Sequence, residues 1–235
     1  MMSASDEGGV GARLLGGIAI RLHSPEGLHP AFERSYKDID LVAPRRSSKD
    51  LSRLLTAMGY EANTVFNATN GNRRLLFYDN ANERQLDVFL GTFEMCHAIP
   101  LGDRLDVDPL TVPLAELLLT KLQVVQLNEK DRRDSLALLF HHMISDHDAD
   151  TVNGARVADL LAADWGLWRT TTMNLAKARD ATPEYALADD ERQRLLDRIA
   201  ELEAMIDAAP KSTKWKLRDR VGDRKRWYEE PDEVD

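Results

Sequence analysis

Two acidic residues spaced two positions apart are the first feature of this sequence that could do chemistry. Asp38 and Asp40 flank Ile39 and lead into the apolar pair Leu41-Val42. Successive side chains of a β-strand point to opposite faces, so both acids project from the same face. Neighbouring carboxylates repel one another unless a cation lies between them. The spacing therefore suggests a hard divalent cation such as Mg2+, with a solvated edge strand as the alternative.

A third acid, Asp87, lies inside a later apolar run. Leu86 precedes it, and Val88 and Phe89 follow it. A lone carboxylate in an apolar layer is costly unless it is satisfied. We therefore expect Asp87 to be paired, to bind a metal or to lie at an exposed end of the sheet.

The paired glycines Gly16-Gly17 lie upstream of all three acids. Glycine allows the backbone to approach a ligand closely, and a helix beginning there would direct its free N–H groups at an anion. The pair therefore suits a phosphate group, and a tight turn without a ligand is the alternative.

The surrounding pattern predicts an α+β fold, with a mixed sheet and flanking helices first and a helical C-terminal region after it. Ser47-Ser48 and Gly59 delimit a predicted helix, and apolar positions recur at helical spacing after Pro113. Predicted strands cover residues 60–66, 73–78 and 85–90. The predicted organisation is a disordered segment 1–9, a catalytic domain 10–110, a helical domain 111–210 and a basic-aromatic tail 211–235.

In this order, the glycine pair, the Asp38-X-Asp40 pair and Asp87 resemble the nucleotidyltransferase fold of the DNA polymerase β superfamily. The closer resemblance is to its AbiEii-like branch, with an Arg-X-Ser/Thr-X-Asp-X-Asp signature. That signature stands here as Arg34-Ser35-Tyr36-Lys37-Asp38-Ile39-Asp40, with Tyr36 at the Ser/Thr position. Lys121 followed by Lys130-Asp131-Arg132-Arg133-Asp134 is similar to a lysine and Lys-Asp-X-X-Asp stretch of the same branch. The resemblance covers residues 13–140.

The resemblance implies a Mg2+-dependent nucleotidyltransferase that uses a nucleoside triphosphate and, during turnover, two metal ions. For three of the implied site residues a purely structural role stays open: Lys121 could extend from the edge of a helical core, and Lys130 and Asp134 could form an i, i+4 surface pair. The implied roles are metal binding and catalysis for Asp38, Asp40 and Asp87, nucleotide binding for Gly16, Gly17, Arg34, Ser35 and Lys121, and an accessory role for Lys130 and Asp134.

Composition and the N-terminal sequence bear on membrane association and cellular location. The 235 residues contain no apolar run near the roughly 20 residues that a membrane span needs. The N-terminus lacks a basic segment followed by an apolar one, and the single cysteine, Cys96, cannot form an internal disulfide. We therefore expect no membrane association and a cytoplasmic location.

The acceptor is the least constrained part of the prediction. The net charge is −9, yet residues 211–227 contain eight Lys or Arg and two Asp. Cations interleaved with aromatic residues are typical of single-stranded nucleic-acid binding, and a helix docked against the acidic body of the same molecule is the alternative. The expected acceptor is RNA such as tRNA, as in AbiEii-like toxins that have a cognate antitoxin. A cationic small molecule, or a binding module without turnover, are the other hypotheses.

Overall fold

The computed structural model describes residues 1–24 and 27–230, and its internal contacts divide them into two compact units. Unit 1 comprises residues 1–24, 35–94 and 98–113. Unit 2 comprises residues 27–34, 95–97 and 114–230. The long uninterrupted part of unit 2 thus begins close to the predicted boundary at residue 110. The two short segments of unit 2 come from the first half of the chain, and no local pattern marks them.

Unit 1 is built on a five-stranded mixed sheet. Its strands are β1 Arg13–Leu15, β2 Ile39–Ala43, β3 Glu61–Ala62, β4 Arg74–Asp79 and β5 Arg84–Leu90, and its helices are α1 Met2–Glu7, α2 Gly16–Leu22, α3 Ser48–Ala57 and α4 Thr64–Asn70. The spatial order is β1-β2-β5-β4-β3, in which β2 and β5 are parallel and the other neighbours are antiparallel. A hairpin of β6 Thr92–Glu94 and β7 Ala98–Pro100 is separate from the sheet. The α+β class is confirmed, and the nucleotidyltransferase type of sheet stays a prediction.

Alternation along the central strands separates a hydrophobic face from a face that carries acids. Leu41 of β2, Phe77 of β4 and Val88 of β5 lie in one buried cluster together with Leu51 and Leu55 of α3. Their sequence neighbours point the other way because the side-chain period of a strand is two. Burial of the apolar set therefore determines which face Asp40 and Asp87 share.

The first nine residues are not disordered as predicted, because residues 2–7 form α1. Ser5 is buried, and its Oγ accepts a hydrogen bond from the N–H of Ala12 at 2.9 Å. The guanidinium of Arg13 contacts the carboxylate of Asp6 at 2.9 Å. These contacts to the start of β1 order a segment whose composition alone indicates disorder.

The predicted strand over residues 60–66 is also wrong beyond its first positions. Only Glu61–Ala62 pair with β4, and α4 then occupies residues predicted to be strand and turn. The reason is local capping: Oδ1 of Asn63 accepts from the N–H of Phe66 at 3.0 Å and satisfies a free donor of the first helical turn. The other two predicted strands are confirmed as β4 and β5.

Unit 2 is predominantly helical, as the apolar periodicity predicts. Its helices are α5 Leu114–Leu122, α6 Glu129–His141, α7 Gly154–Ala163, α8 Trp165–Asp180, α9 Asp189–Ala208 and α10 Thr213–Val221, and β8 Ile144–Ser145 pairs with β9 Val152–Asn153. Side chains of Asn128, Asn153 and Asp164 cap α6, α7 and α8. Polar caps followed by apolar helical stripes account for these boundaries.

The basic tail begins with a helix that packs within unit 2. Trp215 of α10 is buried, its Nε1 donates to the carbonyl of Leu161 at 3.1 Å, and its ring meets Trp168 edge-on. Two acids of the tail also contact α8: Asp219 accepts from Nε1 of Trp165, and Asp223 pairs with Arg169. Hydrogen bonds from Arg169 lower the pKa of the Asp223 carboxyl. The tail thus begins with a docked helix whose anchors are aromatic and acidic side chains, and nucleic-acid binding by its exposed cations stays a prediction.

The exposed side of α10 and of the turn after it carries most of the tail's positive charge. The exposed cations are Lys214, Lys216, Arg220, Arg224, Lys225 and Arg226.

In the part of the chain that the structure describes, no helix has the length and apolar character needed to cross a bilayer.

Candidate functional site

In unit 1, the chain turns sharply where β1 meets α2, and that turn lies against Asp40. Leu15 is the antiparallel register partner of Asp40, and the next residue, Gly16, has φ +63°. A Cβ at residue 16 would lie 2.0 Å from Oδ2 of Asp40, closer than any real contact. Gly17 is buried in the first turn of α2. The glycines were predicted to allow close approach to a phosphate, and the close approach that the structure shows is to the Asp40 carboxylate.

Asp40 and Asp87 are direct partners across the parallel pair β2 and β5. Facing residues of neighbouring strands share one face of the sheet, so these two carboxylates project side by side. Asp38 comes immediately before β2 and is exposed, and Ser35 is exposed further upstream. We call Gly16, Asp38, Asp40 and Asp87 the aspartate site. The structure thereby brings together acids that the sequence places on separate strands.

Asp87 is only 4% exposed, and both of its carboxylate oxygens are engaged. Nε and a terminal nitrogen of Arg74 lie 2.8 and 2.7 Å from Oδ1, and Nε2 of Gln85 donates to Oδ2 at 2.8 Å. A buried carboxylate needs such partners because it has lost its hydration. Of the three expected environments for Asp87, the structure shows the paired one.

The residue types of the aspartate site fit a hard divalent cation, which takes carboxylate oxygens as ligands. The present contacts of Asp87 occupy both lone pairs of Oδ1 and one lone pair of Oδ2, so a cation at this carboxylate would have to share it with Arg74 and Gln85. Consistent with this, residues 1–24 and 27–230 contain no group of three or more His, Cys, Asp or Glu arranged to hold a metal. Metal binding by Asp38, Asp40 and Asp87 stays a prediction.

In unit 2, Arg34 and Lys121 converge on one buried acid. Asp134 is 2% exposed and accepts from Nε and a terminal nitrogen of Arg34 at 2.7 and 2.6 Å. Nζ of Lys121 lies 3.0 Å from a carboxylate oxygen of Asp134 and 3.0 Å from one of Asp131. We call Arg34, Lys121, Asp131 and Asp134 the Asp134 cluster. Two cations around a buried carboxylate make it a fully paired charged network.

These contacts correct the alternative proposed for Lys130 and Asp134, and they bear on the prediction that Arg34 and Lys121 bind nucleotide. Asp134 does not form an i, i+4 surface pair with Lys130, because Asp134 is buried in its cluster whereas Lys130 is exposed. Nucleotide binding by Arg34, Ser35 and Lys121 stays a prediction. A phosphate that approached Arg34 or Lys121 would compete with the carboxylates already bound to them.

Sequence reasoning gave no role to Arg74 or Gln85, and it named Asp131 only as part of the Lys-Asp-X-X-Asp stretch. Gln85 carries a weak signal, because it lies two residues before Asp87 on the same strand face. Asp131 lies in the first turn of a predicted helix, three residues after the capping residue Asn128. Arg74 carries no local signal, since its role depends on the pairing of β4 with β5.

We predict that Gly16→Ala destabilises unit 1 and displaces the Asp40 carboxylate. An alanine at this position suffers both a left-handed backbone and a steric clash, with a combined cost of about 2–5 kcal/mol. The measurement is urea unfolding of the full chain. Gly59→Ala is the matched control, because Gly59 also has positive φ, at +92°, and a Cβ there would meet nothing within 4 Å. Equal losses in the two variants would contradict the role given to Gly16.

Comparisons with protein-family models, with curated proteins and with solved structures gave no match to this chain.

Proposed function

We propose that this protein is a divalent-metal-dependent nucleotidyltransferase, which moves a nucleotidyl group from a nucleoside triphosphate to an acceptor hydroxyl. The observation that carries the proposal is the register pair Asp40 and Asp87 on parallel strands, with Gly16 pressed against Asp40. Neighbouring carboxylates on one sheet face supply oxygen ligands of the kind that divalent cations take. The resemblance of these residues to the DNA polymerase β superfamily points to the same chemistry.

In this proposal the residues of the aspartate site have distinct roles. Asp38 and Asp40 hold divalent cations, and Asp87 completes the site and orients or deprotonates the acceptor hydroxyl. Backbone N–H groups at Gly16 and Gly17 bind the phosphates of the donor. When bound by these carboxylates, Mg2+ would neutralise charge on the entering and leaving oxygens.

Transfer of label tests the proposed function directly. The protein is incubated with each α-labelled nucleoside triphosphate, Mg2+ and either total RNA or a panel of cationic hydroxylated small molecules. We expect label on one acceptor class, dependent on added Mg2+ and absent in EDTA. Absence of label from every acceptor, together with no Mg2+ or nucleotide binding by calorimetry, would contradict the proposal.

A binding module without turnover is the second candidate, and the pairing of Asp87 with Arg74 and Gln85 favours it. Such a module would bind a nucleotide or a protein partner, such as a cognate antitoxin. Calorimetry identifies a module that binds only protein, because it shows no affinity for Mg2+ with nucleoside triphosphate. The transfer assay identifies a module that binds nucleotide, because it shows that affinity without labelling any acceptor.

For the acceptor, we favour RNA over a small molecule because α10 presents exposed Lys214, Lys216 and Arg220, while Asp219 is hydrogen-bonded to Trp165 and Asp223 is paired with Arg169. Phosphate contacts dominate nucleic-acid affinity, and each one contributes to its salt dependence.

We predict that Lys214→Glu/Lys216→Glu weakens RNA binding and reduces its log–log salt slope by roughly one unit per lost phosphate contact. Fluorescence anisotropy with labelled RNA at several salt concentrations measures both effects. Charge reversal is preferable to deletion of residues 211–235, because deletion would also remove the buried Trp215.

The matched control is Lys177→Glu/Arg194→Glu, which makes the same change in net charge at exposed positions of α8 and α9. Equal weakening by both double variants would indicate a general charge effect and would contradict an RNA surface on α10.

A further inference from the structure

The Asp87 carboxylate already has a positive partner, and this partner is well fixed. Two nitrogens of Arg74 contact the same oxygen, Oδ1, within 2.8 Å. The guanidinium also lies near two aromatic rings, with Cζ 5.1 Å from the centre of Phe89 and 5.7 Å from that of Phe66. Charge pairing and cation–π contacts therefore hold Arg74 in the aspartate site.

A divalent cation and this guanidinium cannot share Asp87 in the same arrangement. Oδ1 already accepts from two nitrogens of Arg74 and Oδ2 accepts from Gln85, so a metal ion would find at most one lone pair, on Oδ2, in a carboxylate whose charge the guanidinium already neutralises. An ion at this carboxylate would also bring two more positive charges close to the guanidinium, in a buried region where repulsion is poorly screened. The two cations therefore compete.

We propose that Arg74 is a built-in counter-cation of Asp87, which must withdraw before this carboxylate can bind a divalent cation. The inference rests on the proposed function, because it assigns the aspartate site to metal binding. Asp38, which is exposed immediately before β2, would receive the first ion. Binding at Asp87 is then coupled to movement of Arg74, so the metal affinity of the resting protein is lower than the three acids alone would produce.

The packing around Arg74 shows in which direction its guanidinium can most easily move away from Asp87. Phe89 is buried in β5, so its side of the guanidinium is fixed by the sheet. Phe66 belongs to α4, a helix without any buried residue, and its neighbour Val65 is 78% exposed. Weakly packed elements open at the lowest free energy. Movement of Arg74 toward α4 therefore disturbs the least buried structure.

Metal titration tests this inference without an activity assay. Mg2+ binding to the full chain is measured by calorimetry, and Mn2+ binding by electron paramagnetic resonance, for wild type, Arg74→Gln and Arg74→Lys. We expect Arg74→Gln to bind either ion about tenfold more tightly, a typical strength for coupled binding. Arg74→Lys keeps the charge but loses the planar fork, so it should tighten binding by a smaller factor and serves if Arg74→Gln does not fold.

Two controls make the result specific. Arg84→Gln removes an exposed cation from the same sheet and should leave metal affinity unchanged. In an Asp87→Asn background, Arg74→Gln should no longer tighten binding, because the carboxylate for which the cations compete has been removed. Unchanged or weaker binding by Arg74→Gln and Arg74→Lys, or tightening that persists with Asp87→Asn, would overturn the inference.

The same titration separates this inference from the proposed function. Equal metal binding by wild type and the Arg74 variants would overturn only the competition between Arg74 and the metal ion, and the proposed metal-dependent function would stand. Absence of Mg2+ and Mn2+ binding from wild type and both variants would overturn both proposals.

Discussion

Asp40→Asn should abolish nucleotidyl transfer while leaving the fold intact. Asparagine keeps the size and the hydrogen-bonding oxygen of the side chain but removes the charge that binds a divalent cation. Because a metal ion contributes several kcal/mol to such a transition state, we expect a rate loss of roughly a thousandfold or more. The measurement is initial-rate transfer of labelled nucleotide, with circular dichroism to verify folding.

The control for this prediction is Asp103→Asn, which neutralises an exposed acid of the same unit. Its rate should match that of wild type. Asp38→Ala should cause a loss similar to that of Asp40→Asn, because the proposal assigns metal binding to both acids. Full activity in a folded Asp40→Asn protein would contradict the catalytic role proposed for the aspartate site.

Asp134→Ala should cost unit 2 about 3–5 kcal/mol of unfolding free energy. The substitution leaves Arg34 and Lys121 largely buried and without the carboxylate on which they converge, at 2.6 and 3.0 Å. Breaking a buried pair from one side is far more costly than losing a surface pair, because the remaining charges keep their desolvation penalty. Urea unfolding followed by tryptophan fluorescence reports on unit 2, which contains all four tryptophans.

Asp180→Ala is the matched control for Asp134→Ala. Asp180 is a 76% exposed acid of α8 that lies 3.6 Å from Arg179, so its loss should change stability by less than about 1 kcal/mol. A loss below about 1 kcal/mol for Asp134→Ala as well would show that the Asp134 cluster is not a buried network.

Sequence patterns predicted the elements whose cause is local. Apolar spacing and polar caps identify the helices from Leu114 onward, because a helix needs only neighbours within a few residues. Capping by Asn63 is also local, and its omission explains the misassigned strand before α4. The order of residues 2–7 depends on contacts to Ala12 and Arg13, which composition does not reveal.

The sequence by itself determined which residue types could do chemistry here: a glycine pair, an Asp-X-Asp pair and an acid within an apolar strand. Only the tertiary structure decided their partners. Strand pairing sets Asp40 beside Asp87 and Arg74 on Asp87, and Arg34 reaches Asp134 across 100 residues of sequence. The physical reason is that a carboxylate binds whichever cation the packed backbone brings within about 3 Å, and distance along the chain does not specify that cation.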